Sequence, residues 1–210
     1  MNQLAGASPK VVRPVGLVLA AGRSRRMGRS KQLLPWPAPD GDSTVVASAF
    51  DSIAWACSHM LVTLGADAGP IRAALRGRSF ESIECDADAP MFESIRAGLA
   101  RSRVIDPEAP VLLLPADQPG ILRSTVQRVI AEGARSRDVA ITPTYAGRGG
   151  HPVLLPPAVV AVALTHSGEG GLKGLWNQRP ELRVRVEIDD PACARDLDTP
   201  EDYAAAGEQR

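Results

Sequence analysis

Five cationic side chains, Arg23, Arg25, Arg26, Arg29 and Lys31, crowd with two glycines, Gly22 and Gly28, into the stretch Leu19–Lys31. The chain as a whole gives no reason for such a cluster, because its 24 basic and 24 acidic residues cancel. Glycines let a backbone approach an anion and turn N–H groups toward it, while Arg and Lys neutralise its charge. The chemistry this composition suits is phosphate binding; the alternative is a merely solvated basic loop. A second candidate is Asp117, which follows the apolar run Val111–Leu114 and is flanked by Pro115 and Pro119. One or two carboxylates plus substrate phosphates are the usual Mg²⁺ arrangement. Asp117 is therefore a candidate metal ligand, or else a cap for the helix expected from Ile121. Asp198, ahead of Asp196, is a candidate second ligand from the C-terminal segment, or else an ordinary cap before Thr199 and Pro200.

These groups need a scaffold that brings distant segments to one edge. Val15–Ala20 is short, continuous and apolar, as expected for a strand buried on both faces of a parallel sheet, and Val111–Leu114 reads the same way. Further strands are expected at Met60–Leu64, Phe80–Glu84, Val139–Thr142 and Leu182–Ile188. Helices are expected from Ser43 or Thr44 to about Cys57, over Asp67–Arg76, Phe92–Ser102 and Ile121–Arg135, and from Thr199 onward. Pro35, Pro37 and Pro39 with Asp40–Gly41 mark a turn or small hairpin. Alternating strands and helices imply an α/β domain of three layers with a mostly parallel sheet. Both candidate groups then fall at the carboxyl edge, where open α/β sheets bind ligands. Beyond residue 143 the pattern becomes turn-rich and then gives short helices, and this third is expected to extend the sheet and cover that edge.

The 210 residues suit one domain, taken as 15–206 after an N-terminal tail of 1–14. With 44% hydrophobic and 23% charged residues in balance, no bulk field draws the chain to nucleic acid or membrane. Residues 1–14 hold no apolar signal region and no run approaches membrane-spanning length, so a cytoplasmic location is expected. Cys57, Cys85 and Cys193 are odd in number and widely spaced, and are expected as buried or free thiols. His59 and His166 have no partners in the sequence and are expected to be structural or surface residues.

Spacing rejects two common phosphate loops. A P-loop needs four residues between its glycines and then Lys-Ser or Lys-Thr, whereas Gly22 and Gly28 have five residues between them and are followed by Arg29. A dinucleotide fingerprint would put glycines where Ser24 and Met27 stand. The stretch instead resembles the loop LAAGxSxRMGxxK of the molybdenum-cofactor nucleotidyltransferases, the MobA-like family. Leu114–Pro119 (LPADQP) is similar to that family's LxxxDxP segment, Gly150–Val153 to its GHPV turn and Asp196–Tyr203 (DLDTPEDY) to its DIDTPEDY. The two alanines before Gly22 are similar to the cytidylyl-transferring members, since guanylyl-transferring members carry Gly at the position of Ala21.

The resemblance implies a Rossmann-like nucleotidyltransferase fold and Mg²⁺-dependent transfer of CMP from CTP to a molybdopterin-type cofactor, with release of pyrophosphate. It also implies that a molybdoenzyme or chaperone receives the product transiently. Leu19, Ala20, Ala21, Gly22, Arg23 and Ser24 would then line the nucleotide, although Ser24 stands where related sugar-nucleotide enzymes carry a third glycine. Ser94 matches a family position near the base, or is a local hydrogen-bonder in a first helical turn. Arg26 and Lys31 would clamp the triphosphate, a fork and a point charge gripping different oxygens. His151 contacts the acceptor or simply shapes a turn, and Gly168–Lys173, similar to the family's GDxGAR with Glu169 for Asp, is an acceptor loop or a helix entry. A phosphate nucleophile is largely ionised at neutral pH, since its second pKa is about 6, so no general base is required. The same apparatus could serve a sugar phosphate or phospholactate, or bind nucleotide without turnover. An oxidoreductase reading rests on the α/β architecture alone.

Overall fold

Every residue of β1 (Val15–Ala20) is buried, and the strand lies parallel between β4 (His59–Leu64) and β6 (Val111–Pro115), with Val18 opposite Val62 and Leu114. The structure is a computed structural model that describes residues 12–22, 30–38, 41–197 and 199–208. The remaining strands are β2 (Pro35–Ala38), β3 (Gly41–Thr44), β5 (Glu81–Glu84), β7 (Ala140–Tyr145), β8 (Arg148–Gly149), β9 (Val153–Leu155) and β10 (Arg183–Glu187). The main sheet runs β10-β7-β9-β6-β1-β4-β5, with β8 paired to β7 alone.

Side chains along the central strands alternate between two cores, as the period of a strand dictates. Val18, Ala20, Leu112 and Leu114 pack against α1 (Val45–Ala54), α2 (Ala68–Ala74) and α4 (Arg123–Arg135). Leu17, Leu19, Val111 and Leu113 pack on the opposite face against α3 (Met91–Ile105), α5 (Pro157–Thr165) and α6 (Gly171–Gln178). Helices on both faces of a mostly parallel sheet make the expected three-layer α/β architecture. Thr44 caps α1 by accepting from the Ala47 N–H at 3.3 Å.

One strand departs from the expected order. β9 inserts antiparallel between β6 and β7, pairing Leu112 with Leu154 and Ile141 with Leu154. It is three residues long and follows Pro152, so it carries too little periodicity to stand out from the turn-rich segment around it. Its consequence is functional. The chain reaches β9 through Gly150, His151 and Pro152, which places that turn beside the end of β6.

A smaller apolar cluster ties the far end of the chain to the start. Leu34, Trp36, Val45, Leu197 and Ala206 are buried together, with Tyr203 packed against them. Trp36 and Tyr203 have ring centroids 6.2 Å apart, and the Tyr203 hydroxyl donates to the Pro35 carbonyl. The expected hairpin exists as β2 paired with β3, and α7 (Pro200–Glu208) closes over it. Segments on either side of Lys31 and Asp196 are thereby fastened to each other.

Candidate active site at the carboxyl edge of the sheet

β1 and β4 end opposite each other at Ala20 and Leu64 and β6 ends one position earlier, with Pro115 opposite Leu19, so the segments leaving them share one edge. The Ala20 N–H is held by Thr63 Oγ1 at 3.3 Å, and Leu19 accepts from the Ala116 N–H at 3.0 Å. Ala21 is buried, and its carbonyl lies where a Cβ on Gly65 would come within 2.2 Å. Only glycine admits that approach of two backbones, so Gly65 sets the exit direction of the basic loop. Gly22 is exposed at its start. Arg23, Ser24 and Arg26, expected to meet nucleotide, lie outside the described residues, as does Asp198.

Chain order separates Lys31 and Asp117 widely, yet the fold brings them together. Lys31 opens a short 3-10 turn (Lys31–Leu33), and its Nζ lies 2.5 Å from Asp117 Oδ2, with the two side chains 14% and 19% exposed. Asp117 does not cap α4, which begins at Arg123 with Leu122 at its N-cap and no side-chain cap bond. Asp190, 1% exposed, accepts from the Leu122 N–H where α4 begins. At the start of α7, Thr199 and Asp202 form a reciprocal box, with the Asp202 N–H on Thr199 Oγ1 at 3.1 Å and the Thr199 N–H on Asp202 Oδ2 at 2.9 Å.

Two residues not singled out for the site are drawn into it. Gln118, 2% exposed, donates Nε2 to Asp196 Oδ1, and this fixes the amide orientation because a carboxylate can only accept. Its Oε1 is buried and finds no partner among the described residues. Its position next to Asp117 was the available signal. Asp190 carried none, because Asp189–Asp190–Pro191 reads simply as a turn.

His151 joins the same group from the turn before β9. Its N–H donates to the Cys193 carbonyl at 2.8 Å, and Nδ1 is buried without a partner among the described residues. Burial pushes its pKa below the usual imidazole range, while the negative charges of Asp196 and then Asp117 pull it back up. The direction means a neutral ring at pH 7, available for hydrogen bonding rather than as a standing cation. The unfolded chain binds a proton at His151 near pH 6.5 and the folded chain does so only at lower pH, so this group removes stability as pH falls below about 6.5. The urea midpoint of the wild type is therefore expected to drop more between pH 7.5 and 5.5 than that of His151→Gln. Equal drops would contradict it.

Ser94 sits in the first turn of α3, on the same edge beyond β4, and is 5% exposed. The Cys85 thiol, which donates to the Ile83 carbonyl at 3.7 Å, is raised by partial burial and lowered by Ser94. Gly168–Lys173 enters α6 and lies against α3: Arg96 Nη2 donates to the His166 carbonyl at 2.8 Å, and the His166 ring meets Phe92 edge-on at 5.5 Å. The three cysteines are free, and burial pushes the thiols of Cys57 and Cys193 up to about 12.

Among the described residues no group of three or more His, Cys, Asp or Glu side chains converges on one point, but the oxygen donors at this edge are of the type a hard divalent cation takes. Asp117 and Asp196 supply carboxylate oxygens, and both charges are felt at the one imidazole. Ser30 Oγ and Gln118 Oε1 are buried oxygens without partners among the described residues. Mg²⁺ takes such ligands at one or two positions and fills the rest with water and substrate phosphate. The arrangement can therefore neutralise and align polyphosphate, with Lys31 as a point charge. No helix among the described residues is long and apolar enough to cross a membrane.

The chain is 29% identical over 196 residues to nicotine blue oxidoreductase of Paenarthrobacter nicotinovorans, covering 89% of this chain and 92% of that protein. It is 23% identical over 199 residues to molybdenum cofactor cytidylyltransferase of Escherichia coli (strain K12), covering 92% and 95%. The solved structure of Rv0371c from Mycobacterium tuberculosis H37Rv superposes with a TM-score of 0.79 at 28% identity, covering 94% of this chain and 100% of that one. A second structure of that protein is a complex with manganese, with a TM-score of 0.71. The family described as the MobA-like NTP transferase domain matches residues 16–184, and the chain belongs to it.

Proposed function

We propose that the chain transfers CMP from CTP to the terminal phosphate of a molybdopterin-type cofactor and releases pyrophosphate. The observation that carries this reading is the meeting of Lys31 and Asp117, 2.5 Å apart, at the strand edge from which the basic loop departs. An ammonium beside a carboxylate there gives one group for phosphate oxygens and one for a cation. Asp117, with Asp196 or Asp198 as a second carboxylate, would hold Mg²⁺, which would supply positive charge to the phosphates.

The protein's own part is alignment and charge. Leu19 to Ser24 line the nucleotide, and Arg26 and Lys31 grip the phosphates that depart. The acceptor phosphate, ionised near neutral pH, attacks the α-phosphorus in line, forming the new P–O bond as the bond to pyrophosphate breaks. His151, held neutral by burial, orients the acceptor by hydrogen bonding and moves no proton. Catalysis is then positioning plus electrostatic stabilisation. The product passes to a molybdoenzyme or its chaperone.

Ala21 carries the choice of base. Replacing Ala21 with Gly removes a buried methyl beside Gly65 and is expected to shift kcat/KM toward GTP at the expense of CTP. An unchanged ratio would remove Ala21 from base selection.

A second reading has an observation of its own, since one relative at 29% identity is named an oxidoreductase. Incubation with each nucleoside triphosphate, Mg²⁺ and molybdopterin, a sugar phosphate or phospholactate discriminates the readings. Pyrophosphate release with CTP and molybdopterin supports the proposal. Release only with another acceptor redirects it, nucleotide binding without product indicates a binding protein, and a nicotinamide-dependent absorbance change favours the oxidoreductase.

A further inference from the structure

Asp190 is 1% exposed and has no place in the chemistry described above. An isolated buried carboxylate is costly to desolvate, so its donors must compensate. Three do: the Leu122 N–H at 3.0 Å, the Thr125 hydroxyl at 2.6 Å and the Ala192 N–H at 3.0 Å. Leu122 and Thr125 stand at the start of α4, where the turn that began at Asp117 ends. Ala192 belongs to a 3-10 turn (Pro191–Ala194) ahead of Asp196.

That second turn also holds a third segment. The Cys193 carbonyl accepts the His151 N–H at 2.8 Å, and a Cβ on Gly150 would come within 2.1 Å of the same oxygen. Beyond Ala194 the chain reaches Asp196, which accepts from Gln118 and so returns to the Asp117 turn. The bonds therefore close a ring through Gln118, Leu122, Asp190, Ala192, Cys193 and Asp196, with His151 attached at Cys193. Two of the three donors to the Asp190 carboxylate, Leu122 and Thr125, lie on a separate segment, and Asp190 is the buried charged residue of the ring.

We infer that Asp190 is a positioning residue that sets the mutual placement of Asp117, His151 and Asp196, and this rests on the transferase reading of that site. Its charge-assisted bonds are the strong links of the ring. Asn in its place presents an N–H donor to either the Leu122 or the Ala192 N–H, whichever way the amide turns. The ring then opens at one link while the cores on both faces of the sheet are untouched.

The test compares Asp190→Asn, Thr125→Val and Thr125→Ser with wild type, and Asp190→Asn with Asp196→Asn in a double-mutant cycle, at a temperature where each variant is folded by circular dichroism. Asp190→Asn is expected to lower kcat by about 10²-fold, the scale of a small misplacement of reacting groups, with the nucleotide KM nearly unchanged. Thr125→Val should lose part of that, and Thr125→Ser should keep it. In the Asp196→Asn background the added loss should be much smaller than in wild type, whereas simple destabilisation would add in full. Amide exchange at Leu122, Ala192 and His151 should quicken together in Asp190→Asn while exchange along β1 does not change. Wild-type kcat in Asp190→Asn, or full additivity, would overturn the inference. If no nucleotide supports turnover in wild type, the transferase reading fails by itself, and exchange decides for Asp190: joint quickening supports it, and its absence overturns it.

Discussion

Asp117→Asn is expected to lower turnover by on the order of 10³-fold, the scale on which loss of a placed electrostatic group costs a transition state. The substitution preserves shape and keeps one oxygen facing Lys31, which lies 2.5 Å from Asp117 in the native chain. What it removes is the negative charge that attracts a divalent cation. The side chains are 14% and 19% exposed, so the loss of the ion pair should cost on the order of 1 kcal/mol of stability and leave the fold intact. Manganese binding followed by electron paramagnetic resonance should weaken along with kcat. Near-normal activity, or loss of activity with unchanged manganese affinity, would remove the metal role from Asp117.

Lys31→Met is expected to fail in a different way. It should lower kcat/KM by about 10²-fold or more, because a point charge on the departing phosphates is lost while the carboxylate remains. Manganese affinity without nucleotide should hold or rise, since Asp117 no longer shares its oxygens with an ammonium. Nucleotide affinity should fall. Arg at position 31 keeps the charge but not the compact geometry and is expected to restore activity only in part. Exchanging the two residues, Lys31→Asp with Asp117→Lys, restores an ion pair and should restore no activity. Recovery in that double variant would mean that the pair serves stability alone.

The elements that position the site were legible where they carry long periodic or continuous apolar runs. β1 begins and ends where its apolar run does, and the runs at Met60–Leu64 and Val111–Leu114 became its two parallel neighbours. The antiparallel insertion of β9 was not legible, because three residues next to prolines show no period. At the site, Asp117 stood out through its place at a strand end, and the fold supplied what spacing alone could not, its meeting with Lys31. Gln118 and Asp190 act through hydrogen bonds to residues far along the chain, and no local pattern announces such bonds. The roles foreseen for Arg23, Ser24, Arg26 and Asp198 remain proposals, carried by their types and spacing.

The most direct measurement is the mass of the product formed when wild type is given CTP, Mg²⁺ and molybdopterin cofactor, with pyrophosphate counted in parallel. The account predicts CMP joined to the cofactor phosphate in one-to-one ratio with pyrophosphate, and almost none with Asp117→Asn. An unmodified cofactor with no pyrophosphate, beside turnover that follows nicotinamide absorbance, would contradict it.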